Sequence, residues 1–220
     1  MEPVSRPRIK ICCIASIAEA RLAIDSGASA LGLVGAMPSG PGVIPDDVIA
    51  AIALCVPPEI ETFLLTSEQS ADGIVAHHRR TRTSAIQIVD RLTRGTYADL
   101  RVHLPGTKLV QVVHVTGPES VEEAVALAAQ VDTLLLDSGR PDMPVKELGG
   151  TGRRHDWKIS RRIREQVKIP VFLAGGLHPG NVRDAIDQVG PFGLDVCSGV
   201  RSSGCLDASR LLAFFKAAGY

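Results

Sequence analysis

Three apolar runs, each ending in a polar or glycine-rich element, recur at roughly even spacing in the last third of this chain: Leu134-Leu135-Leu136-Asp137, Leu173-Ala174-Gly175-Gly176-Leu177 and Asp195-Val196-Cys197-Ser198-Gly199-Val200. A helical pattern follows each. Parallel strands covered on both faces read as continuous Val/Ile/Leu runs, and in a closed β/α barrel their C-terminal ends carry the chemistry. The 220 residues lie within the size range of one such barrel. The expectation is therefore an α/β protein with residues 1–220 forming a single-domain, eight-stranded β/α (TIM) barrel. A doubly wound open sheet would need a glycine fingerprint after the first strand, and Cys12-Cys13-Ile14-Ala15-Ser16 supplies none.

The alternation of strands and helices can be followed along nearly the whole chain. Ile9 to Ile14 reads as the first strand and Ile17 to Asp25 as its helix, with Ser16 as N-cap and Gly27 closing it. Ala30 to Val34 is the second strand, followed by a Pro/Gly-rich loop, Ala36 to Gly42, and a helix opening at Pro45-Asp46-Asp47. Glu61 to Thr66 and Ser84 to Val89 fit the third and fourth strands, with a helix through Ala71 to Arg80 between them. Lys108 to Val115, Thr133 to Asp137, Val171 to Ala174 and Gly193 to Cys197 complete the eight. Helices are predicted over Pro118 to Gln130, from about Lys158, over Asn181 to Val189 and over Asp207 to Ala218. The segment Ser138 to Asp156 is too long for a connector in a compact domain, which points to a functional loop.

Charge excludes some partners. Lysine plus arginine equals aspartate plus glutamate, 24 each, so no global field favours nucleic acid or an anionic membrane. The five cysteines are odd in number and show no CxxC pair, a pattern of reduced thiols in a cytoplasmic protein. The first residues lack the apolar core of a secretory signal, and nowhere do about 18 apolar residues run together. The six histidines form no HxH or HExxH spacing, so no metal is expected.

Gly175-Gly176 and Ser198-Gly199 end two consecutive strands, where barrels frequently bind phosphate. Glycine lets backbone N–H groups approach an anion, and the following helix N-terminus adds a favourable dipole. Gly149, Gly150, Thr151 and Gly152 would let loop six close over a ligand. Asp137, directly after three leucines, points into the barrel mouth, where it fits a general acid better than a cap. Two roles fit Asp195: holding a sugar hydroxyl, or pairing with Lys10. Side-chain alternation sends Ile9, Ile11 and Cys13 toward the helices and turns Lys10 and Cys12 into the barrel. A lone cysteine there is a small core residue or a base.

Taken together, these residues resemble the phosphoribosylanthranilate isomerase family. Lys10-Ile11-Cys12 is similar to its opening motif with the catalytic cysteine, and Leu135-Leu136-Asp137 to the strand bearing its catalytic aspartate. Gly149-Gly150-Thr151-Gly152 with Asp156-Trp157 resembles its mobile loop six. Ala174-Gly175-Gly176-Leu177, Asn181-Val182 and Asp195-Val196 with Ser198-Gly199-Val200 resemble its phosphate end. The chain departs from the family at three places. Cys13 stands where the family has glycine, the Met37 to Gly42 loop carries no arginine, and Gln87-Ile88-Val89-Asp90 keeps only the glutamine of a Gln-Leu-His-Gly-like run.

The resemblance implies an Amadori rearrangement of a 5-phosphoribosylamine without cofactor. Cys12 and Asp137 would be catalytic; Lys10, Gly150, Gly152, Gly175, Gly176, Asp195, Ser198 and Gly199 would bind substrate. An ordinary thiol, with pKa about 8.5, is mostly protonated at neutral pH, so a cysteine base needs a cationic neighbour, and Lys10 is two residues away on the same face. The partner implied is a phosphorylated sugar-amine, taken by a cytoplasmic monomer or homodimer. An isomerase for a different phosphoribosyl-amine and a non-catalytic phosphosugar-binding barrel are the alternatives.

Overall fold

A strand whose two edges are both hydrogen-bonded and whose two faces are both covered favours apolar residues on both faces, and the β-strands of this protein are largely apolar, with a few buried polar residues such as Lys10, Gln87, Gln111 and Asp195. The computed structural model describes residues 6–150 and 152–220. Its strands β1 (Arg8–Ile11), β2 (Ala30–Val34), β3 (Glu61–Thr66), β4 (Ala85–Ile88), β5 (Lys108–His114), β6 (Thr133–Asp137), β7 (Val171–Leu173) and β8 (Gly193–Val196) pair in chain order, and β8 closes on β1. The pairings are parallel throughout, and at the seam Lys10 is in register with Asp195 and Ile11 with Val196. This is the expected eight-stranded barrel.

Strand alternation divides the apolar residues into two layers. Leu31 and Leu33 of β2, Ile86 and Ile88 of β4, and Leu134 and Leu136 of β6 belong to the outer core, against the helices. Ala30, Ala85, Val110, Leu135 and Phe172 fill the barrel interior. At the closing seam an inward glycine makes room for an aromatic ring. A Cβ on Gly193 would lie 2.3 Å from the Phe172 ring, which packs edge-on against Phe63 at 6.0 Å.

Helices α1 (Ile17–Asp25), α2 (Asp46–Cys55), α3 (Ala71–Thr81), α4 (Tyr97–His103), α5 (Ser120–Ala128), α6 (Trp157–Gln166), α7 (Val182–Val189) and α8 (Ala208–Ala218) fill the crossovers. Ser16 caps α1 as expected, its Oγ accepting from the Glu19 N–H at 3.2 Å. Two expectations need correction. The first strand stops at Ile11 rather than Ile14, because Cys13 adopts φ +62°, outside the extended region. Helix α4 lies in a stretch where the sequence suggests none; its seven residues are held by a Thr96/Asp99 capping box and by buried Tyr97 and Leu100. A small hairpin, β9 (Arg201–Ser202) with β10 (Cys205–Leu206), leads into α8. Among the described residues no helix is long and apolar enough to cross a membrane.

Gly193→Ala should force Phe172 and its partners off their packing and cost about 1–3 kcal/mol, the usual range for overpacking. A urea midpoint equal to that of wild type, at unchanged slope, would refute this account of the seam.

Candidate active site

The C-terminal ends of the strands open into a cavity whose lining includes Cys12, Asp137, Gly150, Gly152, Gly175, Gly176, Asp195 and Ser198. Eight residues from five separate stretches of sequence thus meet at one mouth. Thr151 lies outside the described residues. Lys10 and Gly199 do not line the cavity. Lys10 is wholly buried beneath it, and Gly199 packs so closely on the preceding loop that a Cβ there would lie 2.0 Å from the Leu177 carbonyl oxygen.

At the barrel seam the Lys10 Nζ donates to Asp195 Oδ1 at 2.9 Å and sits 5.3 Å from the centre of the Phe63 ring. Burial alone would push the ammonium toward neutrality; the Asp195 carboxylate and the thiols of Cys12 and Cys13 outweigh it and hold the lysine above its ordinary range. Both roles considered for Asp195 are therefore open to it at once, since its carboxylate pairs with Lys10 and also borders the cavity. Gly32 of β2 makes the cluster possible. A Cβ built there would stand 2.8 Å from Cys12 Sγ and 3.0 Å from Lys10 Nζ, so a side chain at this position would displace the thiol or the ammonium.

Asp137 ends β6, in register with His114 of β5. Its burial pushes the carboxyl above the usual range, against the pull of the Ser138 N–H, which donates to Oδ1 at 2.7 Å, and of His114. Among the described residues no cation is paired with Asp137, in contrast to Asp195. One carboxyl at the mouth is thus held toward its proton-bearing form while the other is engaged by an ammonium.

The side of the mouth formed after β7 is built mostly from backbone. Gly175 and Gly176 have φ +84° and +62°, a region that favours glycine, and a Cβ on Gly176 would fall 2.8 Å from the Gly152 carbonyl oxygen of loop six. Asn181 shapes the turn: its Nδ2 donates to the Gly176 carbonyl at 2.9 Å and its Oδ1 accepts from the His178 N–H at 2.9 Å. Behind Gly175 lies His155, whose imidazole is pushed down to about 4 by burial and is engaged through Nε2 with Ser160 Oγ at 2.6 Å.

Loops two and six close the opposite side. A Cβ on Gly150 would lie 2.5 Å from Pro41 Cδ, and the Ser39 hydroxyl donates to the Lys146 carbonyl at 2.6 Å. Met37, Pro41, Leu65, Val89 and Leu148 make this wall apolar, with Ser39 and Gln87 as its polar members. Gln87 is buried, and its Oε1 has no protein partner.

Sequence reasoning missed Cys13 and Cys197. Both line the cavity, although alternation sends Cys13 toward the helices, because its positive φ turns the side chain inward. A non-glycine residue at a position where glycine is usual was the available signal. Gly32, read only as part of an apolar strand, was missed for lack of any local sign.

Comparison with known proteins agrees with this geometry. A family model described as N-(5'phosphoribosyl)anthranilate (PRA) isomerase matches residues 9–217. The chain belongs to the phosphoribosylanthranilate isomerase family. It is 34% identical over 209 residues to the N-(5'-phosphoribosyl)anthranilate isomerase 2 of Methanosarcina mazei, covering 94% of this chain and 92% of that one. It is 36% identical over 213 residues to the isomerase of Desulforudis audaxviator, covering 96% and 97%. Among solved structures, the phosphoribosylanthranilate isomerase of Thermotoga maritima superposes with TM-score 0.79 at 28% identity, covering 96% and 98%. A phosphoribosylanthranilate isomerase in complex with reduced 1-(o-carboxyphenylamino)-1-deoxyribulose 5-phosphate superposes with TM-score 0.76 at 26% identity, over the same shares.

For this isomerase-family barrel, removing one member of a buried ion pair leaves the other charge uncompensated, which costs about 3–5 kcal/mol. Lys10→Met should show that loss in chemical denaturation, and Lys10→Met with Asp195→Leu should recover much of it. A double variant as unstable as the sum of the single ones would mean that the pair is not coupled.

Proposed function

We propose that the protein is a phosphoribosylanthranilate isomerase of tryptophan biosynthesis, working in the cytoplasm without a cofactor. It converts phosphoribosylanthranilate to 1-(o-carboxyphenylamino)-1-deoxyribulose 5-phosphate. The observation that carries this reading is the meeting of Cys12, Asp137, the Gly175-Gly176 turn after β7 and Ser198 after β8 at one cavity. The phosphate lies against the Gly175-Gly176 and Ser198-Gly199 turns, with the Asp195 carboxylate near the ribose hydroxyls. The aromatic ring of the aglycone packs on the apolar wall of loops two and six. Asp137 delivers its proton to the furanose ring oxygen; the C1–O bond breaks and the amine lone pair forms the C1=N bond. The Cys12 sulfur, beside the Lys10 ammonium, takes the C2 proton. The electrons of the C2–H bond form C1=C2 as the nitrogen regains its lone pair, and the enolamine tautomerises to the ketone.

Turnover is followed by the loss of anthranilate-type fluorescence on mixing enzyme with phosphoribosylanthranilate. Cys12→Ala and Asp137→Asn should each lower kcat by about 10²- to 10⁴-fold, the range for a lost general acid or base. Full turnover by either variant, or none by wild type, would sink the assignment.

Asp137→Asn has a second, opposite signature. A carboxyl held above its ordinary range binds a proton in the folded protein that the unfolded chain releases. Its stabilising contribution is therefore full below the unfolded-state pKa and is lost as pH rises through the folded-state one. The asparagine variant carries no such penalty, so its stability relative to wild type should rise with pH across that window. Denaturation at a series of pH values checks the sign; a difference independent of pH would show that Asp137 is not held protonated by burial.

The phosphate cradle is tested separately. Asn181→Ala frees the turn that presents Gly176, and should weaken ribose 5-phosphate by about tenfold, equivalent to one hydrogen-bonding contribution of about 1.4 kcal/mol. Ribose itself should be unaffected. Equal calorimetric affinities of the two proteins for ribose 5-phosphate would place the phosphate elsewhere.

A further inference from the structure

Two sulfurs that the reaction does not use lie side by side at the edge of the cavity. Cys13 Sγ, at the end of β1, is 2.7 Å from Cys197 Sγ, at the end of β8, although the two residues are 184 positions apart in the chain. Both are free thiols. Cys13 is wedged in place. It keeps φ +62° despite its side chain, its sulfur is 3.7 Å from the Pro41 carbonyl oxygen, and a Cβ on Gly42 would come within 2.5 Å of its Cβ. The Arg201 guanidinium, paired with Glu19, donates to the carbonyl oxygens of Cys12 and Cys13, fixing the backbone on which the thiol is mounted.

We propose that Cys13 and Cys197 form a dithiol that a hydroperoxide oxidises to an intramolecular disulfide, a modification site that switches the neighbouring active site off reversibly. The two thiols differ in a way that suits the two steps. Hydrogen bonding with Cys13 and the nearby Arg201 charge hold Cys197 below the ordinary thiol range in spite of its burial, while hydrogen bonding with Cys12 and Cys197, together with burial, pushes Cys13 above it. Cys197 is also partly exposed, whereas Cys13 is buried, so Cys197 is the sulfur that meets the oxidant.

In the first step the Cys197 thiolate attacks one peroxide oxygen, the O–O bond breaks, and hydroxide leaves, giving a sulfenic acid. In the second, Cys13 sulfur attacks Cys197 sulfur, the S–O bond breaks, and water leaves with the Cys13 proton taken up by the departing hydroxyl. Two thiols supply two electrons, and one peroxide becomes two waters.

Bond formation draws the sulfurs together from 2.7 Å to about 2.05 Å, the ordinary S–S length. Cys13 is joined by a single peptide to Cys12, and a displacement well under an ångström is enough to spoil the aim of a reacting group. Oxidation therefore acts on turnover through the position of Cys12, without consuming its thiol. This functional half rests on the isomerase reading above, whereas the covalent half does not.

The test treats the reduced, full-length protein with increasing hydrogen peroxide, quenches with an alkylating agent, and maps peptides by mass spectrometry alongside turnover of phosphoribosylanthranilate. The expected result is a cross-link between the Cys12–Cys13 peptide and the Cys197 peptide, with loss of two hydrogens. Turnover should fall by at least about tenfold in step with it and return with dithiothreitol. The link should persist in Cys12→Ser and vanish in Cys13→Gly, a change that also suits the positive φ. Cys13→Gly should keep its turnover at peroxide doses that cross-link wild type. A link that needs Cys12, oxidation confined to Cys55 and Cys205, or full cross-linking with unchanged turnover would each overturn the proposal. Failure of the reduced enzyme to turn over would instead remove the isomerase reading, and the peptide map would still decide whether the thiols pair.

Discussion

A lysine ammonium without solvent contact must be met by an anion, and in this barrel the meeting point is the seam where the last strand closes on the first. Lys10 and Asp195 are in register across β1 and β8 and joined at 2.9 Å. Replacing a buried ion pair by apolar residues is often neutral or stabilising, so stability alone does not account for it. Its position does. The ammonium stands beside the Cys12 thiol and the carboxylate borders the cavity, so one interaction closes the cylinder, fixes the register of its ends, and sets the charge around the proposed base. The Gly32 backbone, opposite, leaves the space that the Cys12 thiol and the Lys10 ammonium occupy.

The mouth above that seam is made largely of backbone in conformations that side chains resist. Gly150, Gly152, Gly175 and Gly176 all have positive φ, and the closest approaches in the site run between loops: Gly176 to Gly152, Gly150 to Pro41, Gly199 to Leu177. Surfaces of this kind can bring N–H groups and helix N-termini to an anion without enlisting lysines, which is compatible with a chain whose charges balance. They also couple the loops. Loop six approaches the Gly176 turn through Gly152 and loop two through Gly150, so it joins the two sides of the mouth.

What the sequence reveals follows from what each feature depends on. Apolar runs such as Leu134 to Leu136 are legible because burial on both faces is a local requirement, and Asp137 stands out because it interrupts one. The strand-end glycines are legible because positive φ is a property of the residue itself. By contrast, Ser16 and Thr96 are equally good caps, yet only the helix after Ser16 has enough apolar periodicity to be recognised; α4 is short and is held by Tyr97 and by contacts with other elements. The end of β1 is misplaced because alternation was extended through Cys13, whose inward turn comes from its backbone. No local pattern links Cys13 to Cys197, since their proximity is a product of barrel closure.

The same closure explains why two carboxyls a few ångströms from the cavity wall are set to different tasks. Asp195 lies on the seam strand, where the neighbouring strand carries Lys10; Asp137 ends β6, where the in-register neighbour is His114, whose Nε2 is engaged with the Val89 carbonyl oxygen. Both are buried, but only Asp195 is hydrogen-bonded to the ammonium. The barrel thus differentiates its two acids by their neighbours in register. Exchange of Lys10 for an uncharged residue would therefore change more than Asp195: it would withdraw the cation from Cys12 and part of the field that opposes proton binding at Asp137. The buried charge that closes the fold thus stands among the groups of the site, which places both under one constraint.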